Sequence, residues 1–152
     1  MNINIRRVVP DEADFFSHIA FSAKAHWGYP PRWMEIWRPQ LTFSPRYFEK
    51  SESWAAEFNG KPIAFYTLQE KNGNAWIENM WVLPEYIGKG IGKKLFLDAV
   101  SRSRQKGHLI LQLESDPNAV SFYKKMGMYK IGESDYPIEG QSRILPVMEL
   151  ML

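Results

Sequence analysis

Val82-Leu83-Pro84-Glu85-Tyr86-Ile87-Gly88-Lys89-Gly90-Ile91-Gly92-Lys93-Lys94-Leu95 is the stretch whose reading decides the fold. The segment before it, Ala75–Leu83, reads as a strand and stops at Pro84. Glycines then alternate at 88, 90 and 92, which lets the backbone turn sharply and keeps side chains out of the approach. Beyond them Ile91, Leu95 and Ala99, flanked by Phe96 and Val100, recur at helical spacing and predict a long amphipathic helix that ends at Gly107. A strand, a glycine loop and a helix N-terminus in succession leave unpaired N–H groups and the positive end of a helix dipole facing one spot. That combination favours an anion.

Working outward, His108–Glu114 reads as a strand with Leu109, Leu111 and Leu113 on one face. Asp116-Pro117-Asn118 caps a helix through Lys125, with Gly127 at its end, and two strands follow at Met128–Glu133 and Ile144–Leu150. Upstream, residues 3–9 alternate as a strand, and Asp11 caps a helix running to about Trp27, where Gly28-Tyr29-Pro30-Pro31 breaks it. A Trp-rich helix covers Arg32 to about Gln40, and Ser44-Pro45 opens a short third one. Asn59-Gly60 joins Ser53–Phe58 to Pro62–Gln69, and Asn72-Gly73 leads into Ala75–Leu83. The order β-α-α-β-β-β-α-β-α-β-β predicts an α+β class: a mostly antiparallel sheet of about seven strands with one parallel strand–helix–strand crossover.

The 152 residues, 45% hydrophobic and 24% charged, fit one globular domain spanning 1–152, with no repeat or linker. With no cysteine, a disulfide scaffold, a thiolate metal site and a cysteine nucleophile are excluded. His18, His26 and His108 have no ligand-like spacing, so no metal is expected. No apolar run approaches the roughly 20 residues that span a bilayer, and Met1–Arg7 lacks a signal-peptide core, so a cytoplasmic address with no membrane partner is expected. The total charge of +2 is too small to argue for nucleic acid. Its distribution says more. Ile87–Lys106 carries six bases against Asp98, a window of +5 on a remainder of −3, which suits one anionic ligand at one place or a solvated helix face.

Two common phosphate motifs fail on the residues. A Walker A loop needs glycine at Ile87 and Ser or Thr at Lys94. A dinucleotide fingerprint needs its third glycine at Lys93 and a place on the first strand of a parallel sheet. The loop does resemble the acetyl-CoA motif of the GNAT superfamily of N-acetyltransferases, and so does Glu114-Ser115-Asp116-Pro117-Asn118-Ala119-Val120-Ser121-Phe122-Tyr123-Lys124-Lys125-Met126-Gly127-Met128. The two segments come in the family's order and separation, and the predicted strand order agrees with a GNAT-like fold. One position departs, since the family's Q/R-x-x-G-x-G/A pattern starts here at Ile87.

The resemblance implies acetyl-CoA as co-substrate. Its pyrophosphate would be held by backbone N–H groups of Ile87, Gly88, Lys89, Gly90, Ile91, Gly92 and Lys93. Met80, Trp81 and Val82 would bond the pantetheine arm, with Asn118 and Tyr123 near the thioester end. Attack on a thioester needs a neutral amine, although a free alkylamine has a pKa of about 10. It also needs a donor for the oxyanion and a proton for the leaving thiolate. Glu78 is the candidate base and Tyr123 the candidate acid, both supported by the resemblance; N–H groups near Trp81 or Val82 would serve the oxyanion. Ordinary readings stand beside them, a solvent-facing carboxylate for Glu78 and core packing for Tyr123, and His26 is the second candidate base. Residues 26–41 are expected to line the acceptor entrance by analogy with the family, with His26, Trp27, Tyr29 and Glu78 in contact with the acceptor. For Trp33 and Trp37, packing on the sheet is expected. The reaction read is acetyl transfer to a primary amine of a small molecule or peptide by direct attack, in a monomer or homodimer, with no nucleic-acid partner. A non-catalytic acetyl-CoA sensor is the alternative.

Overall fold

The computed structural model describes all residues from Met1 to Leu152. In chain order the elements are β1 (Asn4–Arg7), α1 (Ala13–Ala25), α2 (Pro31–Trp37), α3 (Pro45–Lys50), β2 (Glu52–Phe58), β3 (Lys61–Lys71), β4 (Asn74–Val82), α4 (Ile91–Gln105), β5 (Ile110–Glu114), α5 (Val120–Lys125), β6 (Tyr129–Asp135) and β7 (Ile144–Met151). The seven strands form one mixed sheet in the order β1-β2-β3-β4-β5-β7-β6. The α+β class and the succession of strands expected from the sequence are observed; three helices, the short one opened by Ser44-Pro45 included, lie between β1 and β2 where the predicted order shows two. By contacts the chain divides into two compact units, Met1–Leu68 with Asn79–Leu97, and Gln69–Glu78 with Asp98–Leu152.

In the first unit β1, β2 and β3 pair antiparallel, from Arg7↔Trp54 outward and from Glu52↔Leu68 outward. The β2–β3 turn places Asn59 at φ +51° and Gly60 at φ +78°, two successive left-handed residues, as a tight hairpin of right-twisted strands requires. α1 buries Ala13, Phe16, Ile19, Ala20 and Ala23, spaced at three and four residues. Phe16 meets the edges of Phe48 on α3 and Phe65 on β3, at centroid distances of 5.4 and 5.1 Å. Ser44 accepts the Tyr47 N–H at 3.2 Å and so caps α3 ahead of Pro45.

The start of α1 differs from expectation. Pro10–Glu12 forms a separate single turn with Pro10 at its first position, so Asp11 lies inside that turn instead of capping the helix. Glu12 occupies the cap position without a side-chain cap bond, its carboxylate being held by Arg6 at 3.0 Å.

In the second unit β5 runs parallel to the start of β4, with Ala75↔Leu111 and Trp76↔Gln112 in register, and antiparallel to β7, which pairs with β6. This is the predicted crossover. Along α4, Ile91, Leu95, Phe96, Ala99 and Val100 are all buried, as the stripe predicts. Leu111 and Leu113 are buried, but Leu109 is 75% exposed and lies before the strand. α4 closes with Gly107 at φ +86° and the His108 N–H on the Ser103 carbonyl, so Leu109 falls in the connection and escapes the strand's alternation. Gly127, at φ +99°, ends α5, and the Met128 N–H donates to the Tyr123 carbonyl. No helix is long and apolar enough to cross a membrane.

Candidate functional site

The first unit supplies a backbone-built loop. β4 brings in Met80, Trp81 and Val82, all half-buried, and the Leu83 N–H donates to the Ile63 carbonyl at 2.9 Å. Pro84–Tyr86 is a tight turn closed by Tyr86 N–H on Leu83 O (2.9 Å) and Ile87 N–H on Pro84 O (3.2 Å). Gly88 and Gly90 then stand at φ +79° and +80°, a region that costs an L side chain roughly 1–2 kcal/mol. A Cβ at either would meet nothing within 4 Å, so it is the backbone conformation that demands glycine there, and the space over the loop is open.

The first helical bond of α4 is Lys94 N–H on Gly90 O at 3.1 Å. The N–H groups of Ile91, Gly92 and Lys93 therefore precede any helical carbonyl that could take them. Ile91 buries its side chain and pins the helix start, contributing only its N–H outward. Lys89, Lys93 and Lys94 are exposed around the loop, with the Lys89 ammonium 5.9 Å from the Tyr86 ring centre. N–H groups left open after a glycine turn, with the exposed Lys89, Lys93 and Lys94 nearby in sequence, are chemistry that could hold a pyrophosphate. Ile87, 41% exposed, offers no charge.

Next to this loop lies a hydrogen-bond chain that sequence reasoning missed. The Trp81 Nε1–H donates to Asn79 Oδ1 at 3.0 Å, and Asn79 Nδ2 donates to the Tyr47 hydroxyl oxygen at 3.0 Å. An indole can only donate, so it fixes the orientation of the Asn79 amide. Its three members come from α3 and β4, and no local spacing links them.

In the aromatic corner of the same unit Trp33 and Trp37 pack, as expected of them. Trp37 is buried, with Tyr29 edge-on at 4.9 Å and Trp33 at 5.8 Å, and the Lys24 ammonium sits 3.8 Å from its ring centre. The strongest cation–π position in the corner is thus filled from within the chain. His26 and Trp27, exposed and 5.6 Å apart, keep surface available at the end of α1; Tyr29 is half-buried in the Trp cluster.

The second unit holds the remaining expected residues. Glu78 on β4 is exposed. Tyr123 on α5 is buried, with Phe122 packed at 5.1 Å; burial, and then the negative charge of Asp116, push its phenol well above the ordinary tyrosine range. Asn118 gives both its backbone N–H (2.8 Å) and its Nδ2 (2.9 Å) to Asp116 Oδ1, closing the cap that the sequence predicts. Asp116 Oδ2 in turn receives Arg143 Nη2 at 3.1 Å, in a pair whose side chains are 13% and 10% exposed. The Tyr136 hydroxyl donates to Glu114 Oε1 at 2.9 Å, and this raises the phenol. The Tyr136 N–H donates to the Arg143 carbonyl, and the Arg143 N–H to Asp135 Oδ1. The β6–β7 segment is thereby pinned to the end of β5 through residues that sequence spacing does not connect.

Comparison with known proteins bears on the family and the fold. An uncharacterized N-acetyltransferase of Methanocaldococcus jannaschii is 27% identical over 135 residues, 81% of this chain and 59% of that protein. The chain spans about half the length of the curated relatives it matches. A GCN5-related N-acetyltransferase from Rhodopseudomonas palustris superposes with a TM-score of 0.85 at 21% identity, covering 100% of this chain and 97% of the other. The PaiA N-acetyltransferase from Thermoplasma acidophilum, solved in complex with coenzyme A, superposes at 0.79 with 22% identity and full coverage of both chains. Residues 15–128 match the acetyltransferase (GNAT) family, a span that takes in the glycine loop, α5 and most of the sheet, and this chain belongs to that family.

Proposed function

We propose that residues 1–152 form one acetyltransferase domain that moves an acetyl group from acetyl-CoA to a primary amine by direct attack. The observation that carries this reading is the loop at 88–93, where two left-handed glycines deliver the open first turn of α4 behind β4. Coenzyme A in the T. acidophilum structure supports the same donor here. When bound, acetyl-CoA supplies an activated acyl group on a thiol leaving group.

The chain's own residues would do the rest. N–H groups of Gly88–Lys93 bind the pyrophosphate, the Ile87 N–H being taken by the Pro84 carbonyl, with Lys89, Lys93 and Lys94 screening its charge. Met80, Trp81 and Val82 orient the pantetheine arm, and an N–H near Trp81 or Val82 faces the acyl oxygen. Glu78, exposed at its strand position, takes a proton from the incoming ammonium, directly or through water. Tyr123 keeps its proton tightly. A thiolate, whose thiol has an ordinary pKa of about 8.5, is a weaker base than such a phenolate, so Tyr123 acts by donating a hydrogen bond to the departing sulfur more than by full proton transfer. His26 and Trp27 present the surface an acceptor meets first, and Tyr29 backs them. The acceptor is a small molecule or peptide amine, and the protein acts in the cytoplasm as a monomer or homodimer without a metal or nucleic acid.

Free-thiol release from acetyl-CoA tests the reading, run over polyamines, amino acids, aminoglycosides, arylamines and N-terminal peptides. Turnover concentrated in one class is the expected result. Acetyl-CoA binding with no thiol released from any acceptor would instead favour the sensor reading.

A further inference from the structure

Asn79 is an odd residue for a strand held together by packing alone. Asparagine is among the poorer strand formers, and an aliphatic side chain at this half-buried position would bury more apolar surface. Its amide is nevertheless used at both ends. Oδ1 accepts the Trp81 Nε1–H at 3.0 Å, and Nδ2 donates to the Tyr47 hydroxyl oxygen at 3.0 Å. Turning the amide over would set its NH2 against the indole N–H, donor against donor, so one orientation alone satisfies the chain. Hydrogen bonds between neutral, half-buried groups contribute little net stability, and they fix direction.

The far end of this chain is rigid. Ser44 caps α3 through the Tyr47 N–H, and the Tyr47 ring lies 5.1 Å from that of Phe43 and 5.2 Å from that of Phe48. Both phenylalanines are buried and meet Phe65 of β3, at 5.6 and 6.0 Å. The Tyr47 hydroxyl is thus delivered from the aromatic core of the first unit. At the near end, the ladder to β5 engages β4 at Ala75 and Trp76, close to its start, whereas Asn79–Val82 is the strand's last stretch. By alternation the Asn79 and Trp81 side chains leave one face of that stretch and the Met80 side chain leaves the other. Trp81 therefore belongs both to the chain and to the segment proposed to meet the acyl arm.

We propose that Asn79, held by Tyr47, is a positioning residue for acetyl transfer: it fixes the Trp81 side chain and, through it, the aim of the backbone N–H at Trp81 or Val82 toward the acyl oxygen. The proposal deepens the transfer reading and rests on it. An oxyanion donor works when it is preorganised at hydrogen-bond distance from the developing charge, and a displacement of about 1 Å can cost on the order of 100-fold in rate. Cofactor binding spreads over the whole length of coenzyme A and depends far less on one direction. Loss of the chain should lower turnover and spare binding.

The test compares Tyr47→Phe, Asn79→Leu and Trp81→Phe in the full chain, each of which removes one polar group and leaves an apolar side chain. Thiol release from acetyl-CoA is followed with polyamine, amino-acid, aminoglycoside, arylamine and peptide acceptors, and coenzyme A affinity is measured by calorimetry. On the acceptor that wild type turns over fastest, kcat should fall about tenfold in Tyr47→Phe and about 30-fold in Asn79→Leu, with coenzyme A affinity within about twofold of wild type. Because the three residues act as one unit, Tyr47→Phe combined with Trp81→Phe should lose no more than the worse single variant. A packing role alone would give the opposite split, a lower melting temperature at unchanged kcat. An Asn79→Leu kcat within about twofold of wild type, losses that multiply in the double variant, or coenzyme A affinity falling in step with kcat overturns the positioning role. Wild type that releases no thiol with any acceptor removes the transfer reading, and the positioning role with it.

Discussion

The loop at 88–93 and the polar cluster at the end of β5 are built in opposite ways. The loop is six consecutive residues whose outward chemistry is their N–H groups, set by two positive φ angles and a helix start. The cluster is made of side chains from Glu114, Asp116, Asn118, Tyr136 and Arg143, with its ion pair closing over 27 residues of sequence. The first is indifferent to most side-chain identities and intolerant of any Cβ at two places. The second depends on each side chain and little on local backbone. Substitutions in the loop should therefore change acetyl-CoA binding at nearly constant stability, and breaking the Asp116–Arg143 pair should do the reverse.

The sharpest break of that contrast is Gly90→Trp. A bulky residue at φ +80° is strained by roughly 1–2 kcal/mol and fills the open space over the loop. Acetyl-CoA affinity, followed by calorimetry, should fall more than about 1000-fold, equivalent to roughly 4 kcal/mol, while the melting temperature drops by only a few degrees. Retained affinity would mean that the pyrophosphate sits elsewhere.

On the other side, Arg143→Ala leaves Asp116 nearly buried without its cation, a loss of roughly 3 kcal/mol. Thermal unfolding should shift down by about 6–12 °C. Adding Asp116→Asn should recover part of the loss, since the two residues share one interaction and their effects are not additive. A shift no larger than that of a surface arginine would show that the pair does not hold the β6–β7 segment.

Legibility follows the same division. Asn59-Gly60, Asn72-Gly73, the α4 stripe and the Asp116-Pro117-Asn118 cap are local patterns, and each reappears in the structure. Asp11 was misplaced as a cap because Pro10 opens a turn of its own and Arg6, on another element, claims Glu12. Leu109 reads as strand by alternation, but the exit geometry of α4 settles where β5 begins. The Trp81–Asn79–Tyr47 chain and the Glu114–Tyr136 bond depend on which elements become neighbours, which no single window of sequence contains. Trp37, expected to pack, is buried, and the Lys24 ammonium over its ring comes from an element that its own spacing does not name.

Glu78 belongs to neither region: it is exposed on β4, and the proposed reading gives it the proton of the incoming amine. Glu78→Gln should lower kcat by about 100-fold, near 2.7 kcal/mol of barrier, with acetyl-CoA affinity and melting temperature nearly unchanged. A loss below threefold at saturating amine would hand the proton to His26 or to water alone.

The smallest effect is the most direct measure of how far backbone alone suffices. Ile87 stands where the family pattern has Gln or Arg, and it is exposed enough for a longer side chain to reach outward without displacing packed atoms. Ile87→Arg leaves the N–H in place and adds a charge-assisted donor worth about 1 kcal/mol at an exposed site. Acetyl-CoA should then bind about fivefold more tightly at low salt, and the gain should shrink as ionic strength rises because exposed charges are screened. A gain of 100-fold would mean that the N–H groups hold the pyrophosphate poorly and that side chains carry the site. No gain at all would place the phosphates beyond reach of position 87 and move the seat toward Gly92 and the first turn of α4.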